Sequence, residues 1–322
     1  MKADVAIVGA GLAGILCARR LVAAGLTVVL FDKGRKPGGR LSTRRAETTR
    51  FDHGAPLFTA RSPRFQAVVQ GWAAEGFVAR WEGRFWRVGA DATRTVWRPS
   101  AWVGTPSMSS IPAALAAGLN VRTRVRVGSI ARAGGEWALR DEDGAALGIF
   151  GAVIVNTPSG QAAPLLGDAP TLQEAARAVS MAPCWSVMVV PEQPWSPGFD
   201  AAEFERGPVF RAFSQASKPG RDATPGWVLH ARSEWSQAQW ESNPEAVIEA
   251  LLRSMEAASG LSFGPVRHAK AHRWQYARGS AGLADGCLWD AEARAGACGD
   301  WCGGPGLEGA WHSAHALADR IV

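Results

Sequence analysis

A chain of 322 residues, 47% hydrophobic and 20% charged, has the composition of an ordinary globular protein and length for about two domains, each able to bury a core without disulfides. Its apolar stretches break well before the ~18 residues of a transmembrane helix, and its five cysteines are scattered without a C-x-x-C pair, which argues against membrane, disulfide-framework and metal-centre classes. The net charge of +6 is carried by arginine, and its densest run, Lys33 to Arg50, lacks the interleaved aromatics of a nucleic-acid platform; a basic site for small-molecule phosphates, in a reducing cytoplasm, fits better.

Ala3 to Asp32 reads as strand, glycine-rich turn, helix and second strand. Val5, Ile7 and Val8 are the β-branched run of a buried parallel strand, and Gly9-Ala10-Gly11-Leu12-Ala13-Gly14 follows at once as G-x-G-x-x-G. Gly9 permits the tight turn, Gly11 lets a pyrophosphate approach, and Gly14 lets the helix lie close to the strand, while the N–H groups of the helix start at Leu12 and Ala13 face the phosphates. Gly25 stops the helix, Thr27 to Phe31 forms the second strand, and Asp32 is placed to accept from a ribose, with Lys33 beside it. A secretory signal is the bland reading of this stretch; Asp4 interrupts it, Arg19 and Arg20 follow it, and no cleavage site fits.

Pro37-Gly38-Gly39-Arg40-Leu41-Ser42 comes next, and a guanidinium behind a glycine pair supplies a second pyrophosphate clamp, which favours FAD over NAD. The segment resembles the G-G-R-[ML]-S of glutathione-reductase-like flavoproteins, the amine oxidases included. Phe51-Asp52-His53-Gly54-Ala55-Pro56-Leu57-Phe58-Thr59-Ala60-Arg61 is similar to the D-x-G-A-x-x-F-T-A-R run of the bacterial renalases. That resemblance implies a stretch running beside the flavin, with Pro56 and Leu57 on the cofactor and Phe58, Thr59, Ala60 and Arg61 on the substrate; the plainer alternative is a buried turn with Arg61 solvated.

Pro63 to Glu75 has helical spacing, with Phe65, Val68, Val69 and Trp72 on one face. Among the tryptophans that follow, Trp102-Val103-Gly104-Thr105-Pro106-Ser107-Met108-Ser109 is similar to a renalase W-V-G-x-P-x-M-S segment, which makes Trp102, Thr105, Pro106 and Ser107 substrate candidates. Ser109 to Ala117 is an expected helix and Asn120 to Ile130 an alternating strand, with Val127 implied by the resemblance to meet the adenine through its main chain. Glu136 to Arg140 and Ala146 to Phe150 read as a hairpin, and Ala152 to Asn156 as a core strand.

From Met181 onward, strands at Cys184 to Val190, Pro208 to Phe213 and Gly226 to Ser233 predict an antiparallel sheet, one face covered by a helix that Asn243-Pro244 caps and that runs to Ala258. His230-Ala231-Arg232-Ser233-Glu234-Trp235-Ser236 and His272-Arg273-Trp274-Gln275-Tyr276-Ala277-Arg278 match the renalases as well. His230, Trp274, Tyr276 and Arg278 become the catalytic candidates, and Cys184 a further substrate contact. The chain closes on Cys298-Gly299-Asp300-Trp301 and Gly303-Gly304-Pro305-Gly306-Leu307. Here a carboxylate, Asp300, is expected on the ribityl chain, and a helix from Leu307 aims its positive end at the flavin edge where reduction accumulates charge. Cys298 and Cys302 flank Trp301 with spacing that is poor for a redox pair. Gly306 stands where bacterial renalases tend to carry arginine, which leaves the phosphate preference open.

The fold expected is α/β: a glutathione-reductase-like Rossmann FAD-binding domain over 1–62, 103–180 and 279–322, with an inserted antiparallel-sheet substrate domain over 63–102 and 181–278, of the p-hydroxybenzoate-hydroxylase type. The renalase resemblance implies non-covalent FAD and no metal. It also implies oxidation of the 2- and 6-dihydro isomers of NAD(P)H to NAD(P)⁺, with O₂ reduced to H₂O₂, by a cytoplasmic monomer or weak homodimer. The alternatives are an FAD-dependent amine oxidase, a desaturase of a larger apolar substrate and a flavin-binding structural protein. A single tyrosine, Tyr276, and a single plausibly placed lysine, Lys270, weaken the first of these.

Overall fold

The computed structural model describes residues 2–46, 49–279 and 281–322. The chain forms two compact units: Met1–Arg40, Pro112–Met181 and Arg278–Val322 make the first, and Leu41–Ile111 with Ala182–Ala277 the second. Residues 41–62 and 103–111, expected in the FAD-binding domain, belong to the second unit. The reason is a buried cluster in which Asp52 holds Thr43, the Met108 N–H, Lys218 and Arg221.

In the first unit the strands Lys2–Val8 and Val28–Asp32 pair in parallel, and the helix Leu12–Ala23 joins them. Valine, isoleucine and phenylalanine suit a strand buried on both faces, and Val5, Ala6, Ile7, Leu30 and Phe31 are all within 1% of complete burial. Asn120–Thr123 extends the sheet beyond Val28–Asp32, while Ala146–Val155 lies on the other side of Lys2–Val8 and pairs in turn with Ala295–Ala297, all in parallel. The antiparallel strands Val127–Ala133 and Glu136–Asp141 complete it with Leu288–Asp290, so the sheet is mixed and has eight strands among the described residues.

Two expectations change here. Asn120 to Ile130 is not one strand: it breaks where Arg124 takes a positive φ of 60°, and Val127 begins a new strand. Conversely, Ala146 to Phe150 and Ala152 to Asn156 fuse into the single strand Ala146–Val155, because its first half pairs with the hairpin and its second half with Ala295–Ala297.

In the second unit a seven-stranded sheet runs in the order Val266–Gly279, Met181–Pro191, Trp227–Ala231, Val209–Ser214, Ala201–Phe204, Phe85–Val88, Arg94–Val96 among the described residues. Beside the expected antiparallel pairs, Ala201–Phe204 pairs in parallel with Phe85–Val88. Ser233, expected at a strand end, starts the helix Ser233–Ala238. The period of two puts Trp227, Leu229 and Ala231 on one face, where they join Trp185, Val187 and Val189 and meet Val247, Leu251 and Met255 of the helix Pro244–Ser259. Asn243 caps that helix, its side chain accepting from the Ala246 N–H at 2.7 Å. No described helix is long and apolar enough to cross a membrane.

Candidate functional site

The glycine turn of the first unit is a closed cradle. A Cβ on Gly9 would stand 2.8 Å from the Asn156 carbonyl oxygen, and one on Gly14 would overlap the Gly9 carbonyl and come within 2.7 Å of Asn156 Oδ1. Side chains are excluded there, and the helix Leu12–Ala23 starts at Gly11 with no side-chain cap, which leaves its first N–H groups for an anion. Asp32 organises the turn: Oδ2 accepts from the Ala10 N–H at 2.7 Å and Oδ1 from the Gly34 N–H at 2.7 Å. Gly38 donates to the Ala10 carbonyl at 2.8 Å, which folds the Gly38–Gly39 pair back onto the same turn. Lys33 reaches Gln161 at 3.2 Å, and burial lowers its pKa.

Arg40 and Asp300, expected separately on pyrophosphate and ribityl chain, face each other in a bidentate pair with N···O distances of 2.8 and 2.5 Å. They are brought to one place from residues far apart in sequence, one at each end of the chain. Asn156, at the end of the strand Ala146–Val155, was not singled out from sequence, although a polar residue at the carboxyl end of a buried parallel strand is a recognisable signal. Its N–H donates to the Val8 carbonyl at 2.7 Å, its Nδ2 to the Cys298 carbonyl at 2.7 Å, and its buried Oδ1 has no partner while facing the glycine turn. It therefore ties the phosphate cradle to the Gly299–Asp300 segment. Leu307 is buried in the first turn of the helix Gly306–Ile321, and Val127 is buried.

Cradle, uncapped helix start, Asp32 and the Arg40–Asp300 pair fit a dinucleotide, and they would hold its pyrophosphate and sugars. Asp32→Ala and Arg40→Ala are each expected to weaken FAD by about 1.5–3 kcal/mol, the range for hydrogen bonds to charged groups. Fluorescence titration of the apoprotein measures this, and unchanged affinity in both variants would remove these two residues from the site.

All five cysteines are free. Burial keeps the Cys302 thiol well above its ordinary pKa; at Cys298 the Cys17 thiol it hydrogen-bonds and then burial do so. Among the described residues no group of three or more His, Cys, Asp or Glu side chains is placed to hold a metal.

The second unit assembles a different set. The sheet face opposite the helix Pro244–Ser259 carries His230, with Ser186 directly across from it on the neighbouring strand. His53 leaves the short strand Thr49–Phe51 toward the same side chains, and its carbonyl oxygen accepts twice, from His230 Nε2 at 3.2 Å and from Trp274 Nε1 at 2.9 Å. The rings of His53, His272 and Trp274 pack with centroids 4.6–5.2 Å apart. All three imidazoles are neutral near pH 7. Burial, then the charges of neighbours, lower His53 to about 3, and burial lowers His230 and His272 to about 4. The adjacent Asp52 carboxylate is fully buried between Lys218 Nζ at 3.0 Å and the Arg221 guanidinium at 2.6 Å, with Thr43 and the Met108 N–H as further donors. Burial alone would raise its pKa; Lys218 and Arg221 outweigh that and hold it below the usual range.

The other sequence candidates each sit in their own surroundings. Tyr276 is half-buried, on the same alternation as His272 and Trp274, whereas Arg278 is exposed and falls in the first unit. Phe58 is buried against Phe65 and Ala60 is buried, so both are used for packing; Pro56, Leu57 and Thr59 are half-buried and Arg61 exposed. Trp102 is half-buried under the Arg80 guanidinium, Pro106 is exposed, Ser107 is buried beside Ser109, and the Thr105 hydroxyl is buried without a partner. Cys184 donates to the Ala231 carbonyl, and burial pushes its thiol up to about 12. Leu41 is buried, and Lys270, the lysine considered for an amine oxidase, is exposed.

Comparison with known proteins agrees with the fold. The model for an NAD(P)-binding Rossmann-like domain matches residues 7–72, and that for the flavin containing amine oxidoreductases matches residues 87–322. Among solved structures, the protoporphyrinogen oxidase-like protein of Exiguobacterium sp. 255-15 superposes with a TM-score of 0.78 at 14% identity, covering 99% of this chain and 98% of that one. A cofactor-binding variant of putrescine oxidase gives 0.75 at 15% over 99% and 98%, and the wild-type enzyme bound to putrescine gives 0.71 at 15% over 100% and 99%. These structures share the α/β Rossmann-like FAD-binding fold with mixed sheets; FAD, held non-covalently, is the cofactor, and the protein is an oxidoreductase acting on a small molecule. The family match spans most of the chain, and the chain belongs to the flavin containing amine oxidoreductases.

Proposed function

We propose that this oxidoreductase is renalase-like: an oxidase of the 2- and 6-dihydro isomers of NAD(P)H, yielding NAD(P)⁺ and H₂O₂. When bound, FAD supplies the two-electron acceptor and the route to O₂. A dihydropyridine that loses hydride becomes aromatic, so the protein has to orient a flat ring and needs no proton acceptor. One observation carries the reading: the rings gathered around His53 are neutral imidazoles and an indole, beside the charge of Arg44, and the acid and amine next to them, Asp52 and Lys218, are committed to each other at 3.0 Å. The resemblance through the Phe51–Arg61, Trp102–Ser109, His230–Ser236 and His272–Arg278 segments supports it. In this proposal His230, Trp274 and Tyr276 orient the substrate, the fold is of the glutathione-reductase-like and p-hydroxybenzoate-hydroxylase-like type, and the protein works in the cytoplasm as a monomer or weak homodimer.

The competing reading is an amine oxidase, which the family match and the likeness to putrescine oxidase favour. Anaerobic stopped-flow reduction by a panel of dihydronicotinamide isomers and amines separates the two. The expected result is bleaching by the isomers at a rate nearly flat from mildly acidic to mildly alkaline pH. Bleaching by amines alone, with a rate that climbs with pH as the substrate ammonium loses its proton, would replace this proposal with the amine oxidase.

A further inference from the structure

We propose that His230 is the residue by which this site selects an amide-bearing ring: its Nδ1 accepts a hydrogen bond from the carboxamide N–H of the substrate. This rests on the dihydronicotinamide reading and names the feature of the substrate that the second unit recognises.

The argument is one of tautomers. A carbonyl oxygen only accepts, so the 3.2 Å contact between His230 Nε2 and the His53 carbonyl requires the proton on Nε2. The same oxygen takes the Trp274 Nε1–H at 2.9 Å, so both its lone pairs are engaged. Nor is the carbonyl free to turn away. The preceding residue is fixed through its own N–H to Gln215 Oε1 at 3.0 Å and through a carboxylate locked to Lys218 and Arg221. The His230 ring is held edge-on to Phe213, with centroids 5.6 Å apart. In a neutral imidazole so fixed, Nδ1 is a bare lone pair, and among the described residues nothing donates to it. The half-buried ring lies on the sheet face opposite the helix Pro244–Ser259, across from the buried, unpartnered Ser186 hydroxyl and beyond the Phe51, Met188 and Val228 packing of that face. A fixed acceptor is satisfied by a substrate N–H and repelled by a carboxylate; His230 thus discriminates a nicotinamide ring from a nicotinic-acid ring without moving a proton.

The test uses the FAD-loaded protein, the 6-dihydro isomer of NADH and the corresponding isomer of its nicotinic-acid analogue. The wild type should favour the amide over the acid in half-saturation for flavin reduction by at least about 10-fold, and His230→Leu should bring the ratio close to one. Nitrogen-15 NMR of the imidazoles, with His230 assigned by its loss in His230→Gln, gives a readout independent of turnover and of the folding of the Leu variant: an unprotonated Nδ1 and a protonated Nε2 near neutral pH. Equal use of amide and acid by the wild type, or a proton on Nδ1, overturns the assignment while leaving the oxidase reading intact. Failure of both dinucleotides to bleach a flavin that dithionite reduces overturns the oxidase reading, and this inference with it.

Discussion

Replacing Asp52 with alanine is expected to destabilise the protein by about 3–5 kcal/mol, because it strands two cations in a site from which water is excluded. Lys218 and Asp52 have fully buried side chains, and that of Arg221 is 1% exposed. Lys218→Met should cost far less. It leaves the carboxylate bonded to Arg221 at 2.6 Å, to Thr43 at 2.8 Å and to the Met108 N–H at 3.0 Å, and its thioether chain fills the vacated space beside Trp81. Urea denaturation of the three holoproteins measures the asymmetry, and equal losses in the two variants would show that the cluster is not organised around Asp52. The folded Asp52 pKa lies below its unfolded value, so its contribution is present above the ordinary carboxylate range and is lost as pH falls through the folded pKa.

Acid should unfold the protein well before that carboxylate titrates. His53 titrates at about 3 and His230 and His272 at about 4 in the native state, against 6.5 in an unfolded chain, so between pH 6.5 and 4 the unfolded state binds more protons than the native one. Stability therefore rises with pH across this window and falls as pH drops through it. Each excess proton is worth about 1.4 kcal/mol per pH unit, and screening at the half-buried His272 trims the total to about 3 kcal/mol per unit near pH 5. Urea midpoints between pH 7 and 4.5, with proton uptake on unfolding followed by an indicator dye, give the number directly. His272→Phe should remove about one proton from that uptake. Stability that stays level from pH 7 to 5 would mean that the histidines are already charged in the native protein.

The neutrality of these histidines also bears on chemistry. A base that titrates near 4 is poorly matched to proton abstraction at pH 7, and a fixed acceptor is well matched to orientation. The same cluster thus explains both an acid-labile fold and a site suited to hydride loss from a ring that needs no deprotonation.

Local order in the sequence determined the nucleotide-binding unit. G-x-G-x-x-G between a β-branched strand and a helix, an acid at the next strand end, and Asn243-Pro244 before an amphipathic run each act through neighbours within a few residues, so their geometry is written in the spacing. The family resemblance likewise followed from contiguous segments. Whatever depended on residues far apart in the chain was decided by the tertiary structure. Arg40 meets Asp300, and Asn156 meets Cys298, because parallel strands bring their carboxyl ends to one edge whatever their order in sequence. Residues 41–62 join the second unit because Asp52, legible only as part of a motif, finds its countercharges at Lys218 and Arg221. A buried charge without its partner is costly, so the carboxylate stays with its countercharges, and no periodicity in the chain records it. The strand break at Arg124 and the fusion of Ala146–Val155 have the same origin, since a strand's length is set by the partners it finds in the sheet as much as by its own alternation.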